Sequence, residues 1–444
     1  MGNEKSSKFF DKFFGAMDKV SAGLNRVNAL MAIKDSFVDL MPFIIVGSFA
    51  TLFGSVICSP TSGLAKFGVA DGEIINVLGH LRAFQPLFSA INYATMNVMA
   101  LALAYLVGSA YARYFKELPR QISGLCALTC YIILIPTFIT SDGKTINNLL
   151  QANYTNARGL FLAIIAGLLS IKLFSKIVLS GRLTLKMPAS VPAGVASSFA
   201  VLFPLIAACT VFGIINFAFR GVTGMYVSDA IYKFLQLPME GVMQRPWGVI
   251  ILVLFCQAFW VVGIHGSNVV EIVRSSVGLA TIAANLAAFQ AGEKMTNIFT
   301  YTFWNTYCTI GGSGCTLGLL IAIFIASKKE DARAIGKLSL VPAFFGINEP
   351  LIFGLPIVLN PMFVIPFVLA PAASAAIGYI STAAGIAGPA MYMVPWTTPF
   401  LVNGFLSTGG NIGTVITQLV CIAVTTLIYL PFVKMNNLKT EEAA

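Results

Sequence analysis

Apolar residues run along this chain in long unbroken stretches, and polar residues collect between them. The first half holds five stretches of spanning length, at roughly 37–58, 84–112, 121–140, 159–180 and 194–219. A bilayer core takes about 20 apolar residues of helix, so each stretch predicts a transmembrane helix. Ahead of them, Phe9, Phe10, Phe13, Phe14, Met17, Val20, Leu24, Val27 and Met31 recur at helical spacing. Lys8, Asp11, Lys12, Asp18, Lys19 and Arg26 fill the opposite face. This predicts an amphipathic helix lying on the membrane surface. It does not predict a cleavable secretory signal, whose apolar segment would be uninterrupted. Residues 220–245 mix Arg220, Asp229, Lys233, Glu240 and Arg245 with Met225, Tyr226, Ile231, Phe234 and Leu235, and predict a short amphipathic connector between two halves.

The second half is patterned differently. Its apolar stretches, at roughly 247–264, 267–290, 301–326, 338–358, 360–384, 386–408 and 412–432, contain clustered breakers. Pro342, Gly346, Pro350, Gly354, Pro356 and Pro361 fall close together. Thr309-Ile310-Gly311-Gly312-Ser313-Gly314 interrupts another stretch, and Gly388, Pro389, Pro395 and Pro399 a third. Proline removes a helix hydrogen bond and clashes with the preceding turn. Non-helical backbone at membrane depth survives only inside protein or along a wet cavity. Re-entrant or discontinuous elements lining a substrate site are therefore expected here; ordinary kinked helices in a bundle are the competing reading. The organisation expected is an amphipathic segment at 1–36, a transmembrane domain at 37–219, a connector at 220–245, a second transmembrane domain at 246–433 and a tail at 434–444.

Composition then excludes whole classes of function. Hydrophobic residues make up 57% of the chain and charged residues 10%, where a soluble domain carries about 25% charged residues. A soluble enzyme, a nucleic-acid binder and a disordered chain are all ruled out as readings. The net charge of +10 is scattered among loops and labels topology instead. The N-terminus, the 113–120 loop (Arg113, Lys116, Arg120) and the 172–186 stretch (Lys172, Lys176, Arg182, Lys186) fall on one side if the five spans alternate. The positive-inside rule makes that side cytoplasmic. Lys328, Lys329, Arg333 and Lys337, and later Lys434 and Lys439, extend the pattern, so both termini are expected inside and about ten helices in all. The eight cysteines sit mostly in apolar runs without a C-x-x-C pair, and the only histidines are His80 and His265. Neither disulfides, a metal nor a cofactor is expected.

Few charges remain within the apolar stretches, and these are costly. His265 lies in Trp260-Val261-Val262-Gly263-Ile264-His265-Gly266-Ser267-Asn268. Flanking glycines let the backbone bend and a ligand approach, and imidazole can donate to and accept from a hydroxyl. A core histidine satisfied by a carbonyl is the competing reading. Glu349, in Gly346-Ile347-Asn348-Glu349-Pro350, is the only carboxylate between Asp331 and Glu441. It can accept a hydroxyl hydrogen bond or act as a general base, or simply cap a helix end. Glu271 and Arg274 are spaced to pair on one helical face. Trp260, Trp304 and Trp396 sit in or beside the broken elements; an indole face suits the C–H face of a sugar ring, and Trp equally anchors membrane interfaces.

At these residues the chain resembles the enzyme IIC membrane component of the sugar phosphotransferase system, in the lactose/cellobiose/diacetylchitobiose family. The likeness runs from Ala32-Ile33-Lys34-Asp35-Ser36-Phe37 and Met41-Pro42-Phe43-Ile44-Ile45-Val46-Gly47-Ser48 to Pro395-Trp396-Thr397-Thr398-Pro399, and is strongest at Gly263-Ile264-His265-Gly266 and Gly346-Ile347-Asn348-Glu349-Pro350. The resemblance implies an all-α polytopic membrane protein of ten transmembrane helices, with two re-entrant hairpins in the C-terminal half, in the bacterial plasma membrane. It implies a homodimer built by the N-terminal half and a disaccharide bound in the C-terminal half. His265 and Glu349 match the positions that approach the hydroxyl to be phosphorylated. Trp260, Asn348, Trp396, Gly266 and Asn268 are the accompanying sugar-binding candidates. A separate enzyme IIB carries a phosphocysteine that phosphorylates the sugar at a primary hydroxyl, with IIA upstream. No soluble domain follows Pro431-Phe432-Val433, so IIB and IIA are expected as separate chains. The rival readings are a proton-coupled secondary sugar transporter, using Glu349 or His265 as its proton site, and a passive sugar channel.

Overall fold

The computed structural model describes residues 28–60, 64–116, 118–141, 144–185, 187–188, 190–261, 265–355, 357 and 361–441. Most of the N-terminal amphipathic pattern therefore lies outside the described residues. The chain forms two compact units that divide between Met239 and Glu240.

In the first unit, helix Met99–Ala112 packs against Asn28–Leu52, Arg120–Ile133 and Leu160–Leu179. The cause is legible in its small residues. Ala100, Ala104, Gly108 and Ala112 recur every fourth position and are all buried. Such a stripe lets helix backbones approach closely where lipid gives no hydrophobic push between helices. A Cβ on Gly108 would meet the Ala127 side chain, and one on Gly167 would meet Val107. The helix Asn28–Leu52 starts ahead of the expected span at 37 and carries Pro42 within it. Two antiparallel hairpins form, Val69–Ala70 with Glu73–Ile74 and Phe138–Ser141 with Lys144–Asn147, and the second takes the last residues of the stretch expected to span at 121–140. They correct the all-α reading only locally, because strands of two and four residues are too short to show a period.

In the second unit, Pro361–Ala383 packs on Ile412–Glu441 and Pro246–Val261, and Thr316–Ala326 packs on Ile412–Glu441. The chain is interrupted between Gln290 and Thr316 and again between Ala383 and Ile412. Side-chain amides pair with the non-helical backbone there, as a non-aqueous surrounding demands. Gln244 Oε1 accepts from the amides of Ile298 (2.8 Å) and Phe299 (2.9 Å), and its Nε2 donates to the Phe299 carbonyl. Asn285 Nδ2 donates to the carbonyls of Asn297 (2.8 Å) and Ala390 (2.9 Å), so one side chain ties the two interruptions together. Gln418 Nε2 reaches the Thr306 carbonyl at 3.1 Å.

Six helices among the described residues are long and apolar enough to cross a membrane, or seven if Pro246–Val261 and the helical segment before it are one bent span. The interruptions account for part of the difference from the ten expected. They divide apolar stretches into helices such as Thr316–Ala326, of 11 residues, that do not reach spanning length. In the first unit Arg120–Ile133, of 14 residues, is short as well.

Candidate functional site

His265 occupies the cap position of helix Gly266–Gln290, and Trp260 lies in the last turn of the preceding helix Pro246–Val261. Residues 262–264 between them are outside the described set. The two rings meet at a centroid separation of 4.4 Å, tilted by 49°. His265 is exposed, whereas Trp260 is 3% exposed and its indole Nε1 has no hydrogen-bond partner among the described residues. A Cβ on Gly266 would collide with the Cys256 carbonyl. The new helix thus starts directly on the backbone of the old one, which only glycine permits. The amide of Asn268, half-buried, donates to the His265 carbonyl at 2.9 Å.

Glu349 opens the short helix Glu349–Gly354 and is exposed. Asn348 just before it is 3% exposed. Its Nδ2 donates to the Ser313 carbonyl at 2.7 Å and to Thr316 Oγ1 at 2.9 Å, so both amide hydrogens are engaged within the protein. The Ser313 hydroxyl lies 3.2 Å from the Ser267 hydroxyl, two residues from His265. Ser313 therefore bridges the two motifs: its side chain holds the His265 segment and its carbonyl holds the residue beside Glu349. Trp396 is 47% exposed. Its backbone carbonyl lies against Gly346, 3.4 Å from where a Cβ would stand, and the Phe400 amide donates to the Phe344 carbonyl at 3.0 Å. The structure thus links Ser267, two residues after His265, to Asn348, the residue before Glu349, through Ser313, and sets the Trp396 segment beside the turn that leads into Glu349. Trp304 is fully buried in the widened turn Trp304–Cys308.

Ser267, Ser313 and Thr316 were missed as site-forming residues. The Gly311–Gly314 interruption was visible as a break in the backbone, but isolated hydroxyls in an apolar run carry no periodic signal.

The bridge depends on Gly312. Its φ of +100° is one that L side chains rarely adopt, and a Cβ there would overlap the Asn348 side chain. Gly410, with φ of +93°, is a control because the nearest atom to its Cβ position is 3.6 Å away. Both Gly→Ala changes incur backbone strain of about 1–3 kcal/mol. Thermal unfolding of the purified protein is expected to show the larger loss for Gly312→Ala, accompanied by weakened sugar binding. Equal losses with intact sugar binding would remove the Asn348 contact from the account.

These features define a polytopic helical membrane protein whose candidate site is built on interrupted helices. The chain belongs to the phosphotransferase system EIIC family, whose model matches residues 34–371. It is 31% identical over 442 residues to the "PTS system oligo-beta-mannoside-specific EIIC component" of Bacillus subtilis (strain 168), covering 98% of this chain and 96% of that one. It is 30% identical to the "PTS system lactose-specific EIICB component" of Staphylococcus aureus (strain COL), covering 98% of this chain and 71% of that one. The crystal structure of the transporter ChbC, the IIC component from the N,N'-diacetylchitobiose-specific phosphotransferase system, matches with a TM-score of 0.87 at 30% identity, covering 96% of this chain and 98% of that one.

Proposed function

We propose that this chain is the membrane permease of a disaccharide phosphotransferase system, binding a sugar of the cellobiose, lactose or diacetylchitobiose type and presenting it for phosphorylation by an enzyme IIB. One observation carries the reading: Ser313 ties the His265 segment to the Glu349 segment inside the interrupted half of a family member. The sugar specificities named for the relatives support a β-linked disaccharide. The extra length of the lactose EIICB relative supports a IIB partner, with IIA upstream.

In this reading the sugar enters from outside and its ring stacks on Trp260 or Trp396. The indole N–H of Trp260, without a partner among the described residues, supplies a donor for a ring hydroxyl. Glu349 accepts a hydrogen bond from the primary hydroxyl, and His265 orients it. The hydroxyl oxygen attacks the phosphorus of phosphocysteine on IIB. The P–S bond breaks, the thiolate stays on IIB, and the hydroxyl proton passes to the Glu349–His265 pair. Catalysis is mainly positioning and charge stabilisation. Asn348 serves chiefly as a brace, since its amide hydrogens are already committed.

Residues 37–219 form the dimerisation domain of a homodimer, 220–245 the connector, and 246–433 the sugar-binding domain. Ten transmembrane helices, two hairpins in the C-terminal half, a surface-lying segment at 1–36 and a cytoplasmic tail at 434–444 complete the topology, with both ends in the cytoplasm of a bacterial cell.

Vesicles supplied with IIA, IIB and phosphoenolpyruvate test this. Uptake is expected to persist in an uncoupler and to deliver phosphosugar. Uptake that collapses with the proton gradient and delivers unmodified sugar would replace the proposal with a proton-coupled transporter.

A further inference from the structure

The first unit contains a cleft that the proposed function does not use. It is lined by Tyr154, Arg158, Ser228, Asp229 and Tyr232, among others. Hydrogen bonds fix its parts. Asn156 caps the turn into the Leu160–Leu179 helix by accepting from the Arg158 amide at 2.9 Å. Tyr131 donates to the Tyr154 carbonyl. The Tyr154 hydroxyl donates to Asp229 Oδ1 at 3.0 Å. Burial, with the Asp229 carboxylate beside it, pushes the Tyr154 phenol up to about 12, so it stays a donor.

Two opposite charges share this cleft without meeting. The Arg158 guanidinium sits 3.6 Å from the Tyr232 ring centroid, a stacking that offsets part of its desolvation. The ion pairs formed among the described residues are Arg113–Asp35 and Glu271–Arg274, and neither Arg158 nor Asp229 is in them. Ser228 is 7% exposed and its Oγ has no partner among the described residues. The enclosed part has room for about one water molecule. It admits a small head such as a primary ammonium and excludes a sugar ring.

The surroundings are those of a membrane interface. Arg220 lies 4.7 Å from the Tyr226 ring and 5.9 Å from Phe138, and Tyr with Arg at a helix end is the usual interfacial pattern. Phe217, Val222 and Phe234 are strongly exposed on the neighbouring helices, offering an apolar face for acyl chains.

We propose that the cleft binds the phosphoethanolamine headgroup of a membrane lipid, with its primary ammonium between Asp229 and Ser228 and its phosphate on Arg158 at the mouth. The ammonium adds a donor to the Asp229 carboxylate, which accepts only from Tyr154 among the described residues, and supplies one to the Ser228 oxygen, while the phosphate gives Arg158 its anion. An anionic glycerol headgroup lacks the cation, and choline's three methyls exceed the interior.

The test is the thermal shift of the purified, detergent-solubilised protein with added lipid, together with lipid retention in native mass spectrometry. Phosphatidylethanolamine is expected to stabilise most, with the effect falling stepwise through the N-methyl and N,N-dimethyl lipids to phosphatidylcholine, and weak for phosphatidylglycerol. Soluble phosphoethanolamine, without acyl chains, is expected to give no shift; an equal shift would overturn the lipid assignment. Arg158→Gln and Asp229→Asn should each weaken retention about tenfold. A flat response across the methylation series on the unaltered protein would overturn the proposal whether or not the variants fold.

Discussion

Glu349→Gln is expected to lower IIB-dependent sugar phosphorylation by about 10²-fold or more, the usual weight of a positioned proton acceptor. Gln keeps the shape and one acceptor oxygen but loses the charge. A hydrogen bond to a charged group contributes about 1.5–3 kcal/mol, so equilibrium sugar binding should weaken by roughly ten- to a hundredfold. The drop in turnover should exceed the drop in binding, because Glu349 is asked to act on the proton as the phosphoryl group arrives. The structure gives this residue few rivals: it is exposed beside the buried Asn348, and no other carboxylate lies between Asp331 and Glu441. Equilibrium binding and steady-state phosphorylation by purified IIB separate the two effects. Wild-type turnover with Glu349→Gln would remove the carboxylate from the mechanism, while an equal loss in binding and turnover would reduce it to a sugar ligand.

The coarse architecture was legible because long apolar stretches leave a helix few alternatives in a bilayer. The break near Glu349 was legible too, but not residue by residue. Pro342 lies inside the continuous helix Glu330–Phe344, and Pro366 and Pro371 lie inside Pro361–Ala383. The chain instead turns at Gly346, whose φ is +77°. A proline leaves one carbonyl unpaired, which neighbouring groups can satisfy, whereas a left-handed residue redirects the chain outright. His265, Glu349 and the tryptophans stood out because charge and indole are conspicuous in apolar sequence. Ser313 and Gln244 did not, although each holds two distant segments together. Their importance comes from which backbone they reach after folding, and nothing in their sequence neighbourhood encodes that.

The buried Glu271–Arg274 pair illustrates the same dependence and carries the second large expectation. Both residues are under 10% exposed, at 7% and 9%, on the helix that begins beside His265. Arg274 Nη2 donates to Glu271 and, at 3.3 Å, to the Tyr301 hydroxyl; Ser275 donates to the other Glu271 oxygen. Arg274→Met would leave a buried carboxylate supported by one hydroxyl, and Glu271→Gln a buried guanidinium without its counter-charge. Removing one partner of such a pair costs about 3–5 kcal/mol, whereas replacing both is often near neutral. Each single variant should therefore unfold far more readily than the parent, and the double variant should recover most of the loss. A double-mutant cycle on unfolding in detergent measures the coupling. Losses under about 0.5 kcal/mol in both single variants, the range of an ordinary surface change, would mean that the pair is solvated and not a structural brace. If the pair does hold the helix, the single variants should also raise the KM for sugar, since His265 at the head of that helix moves with it, and the double variant should restore KM together with stability.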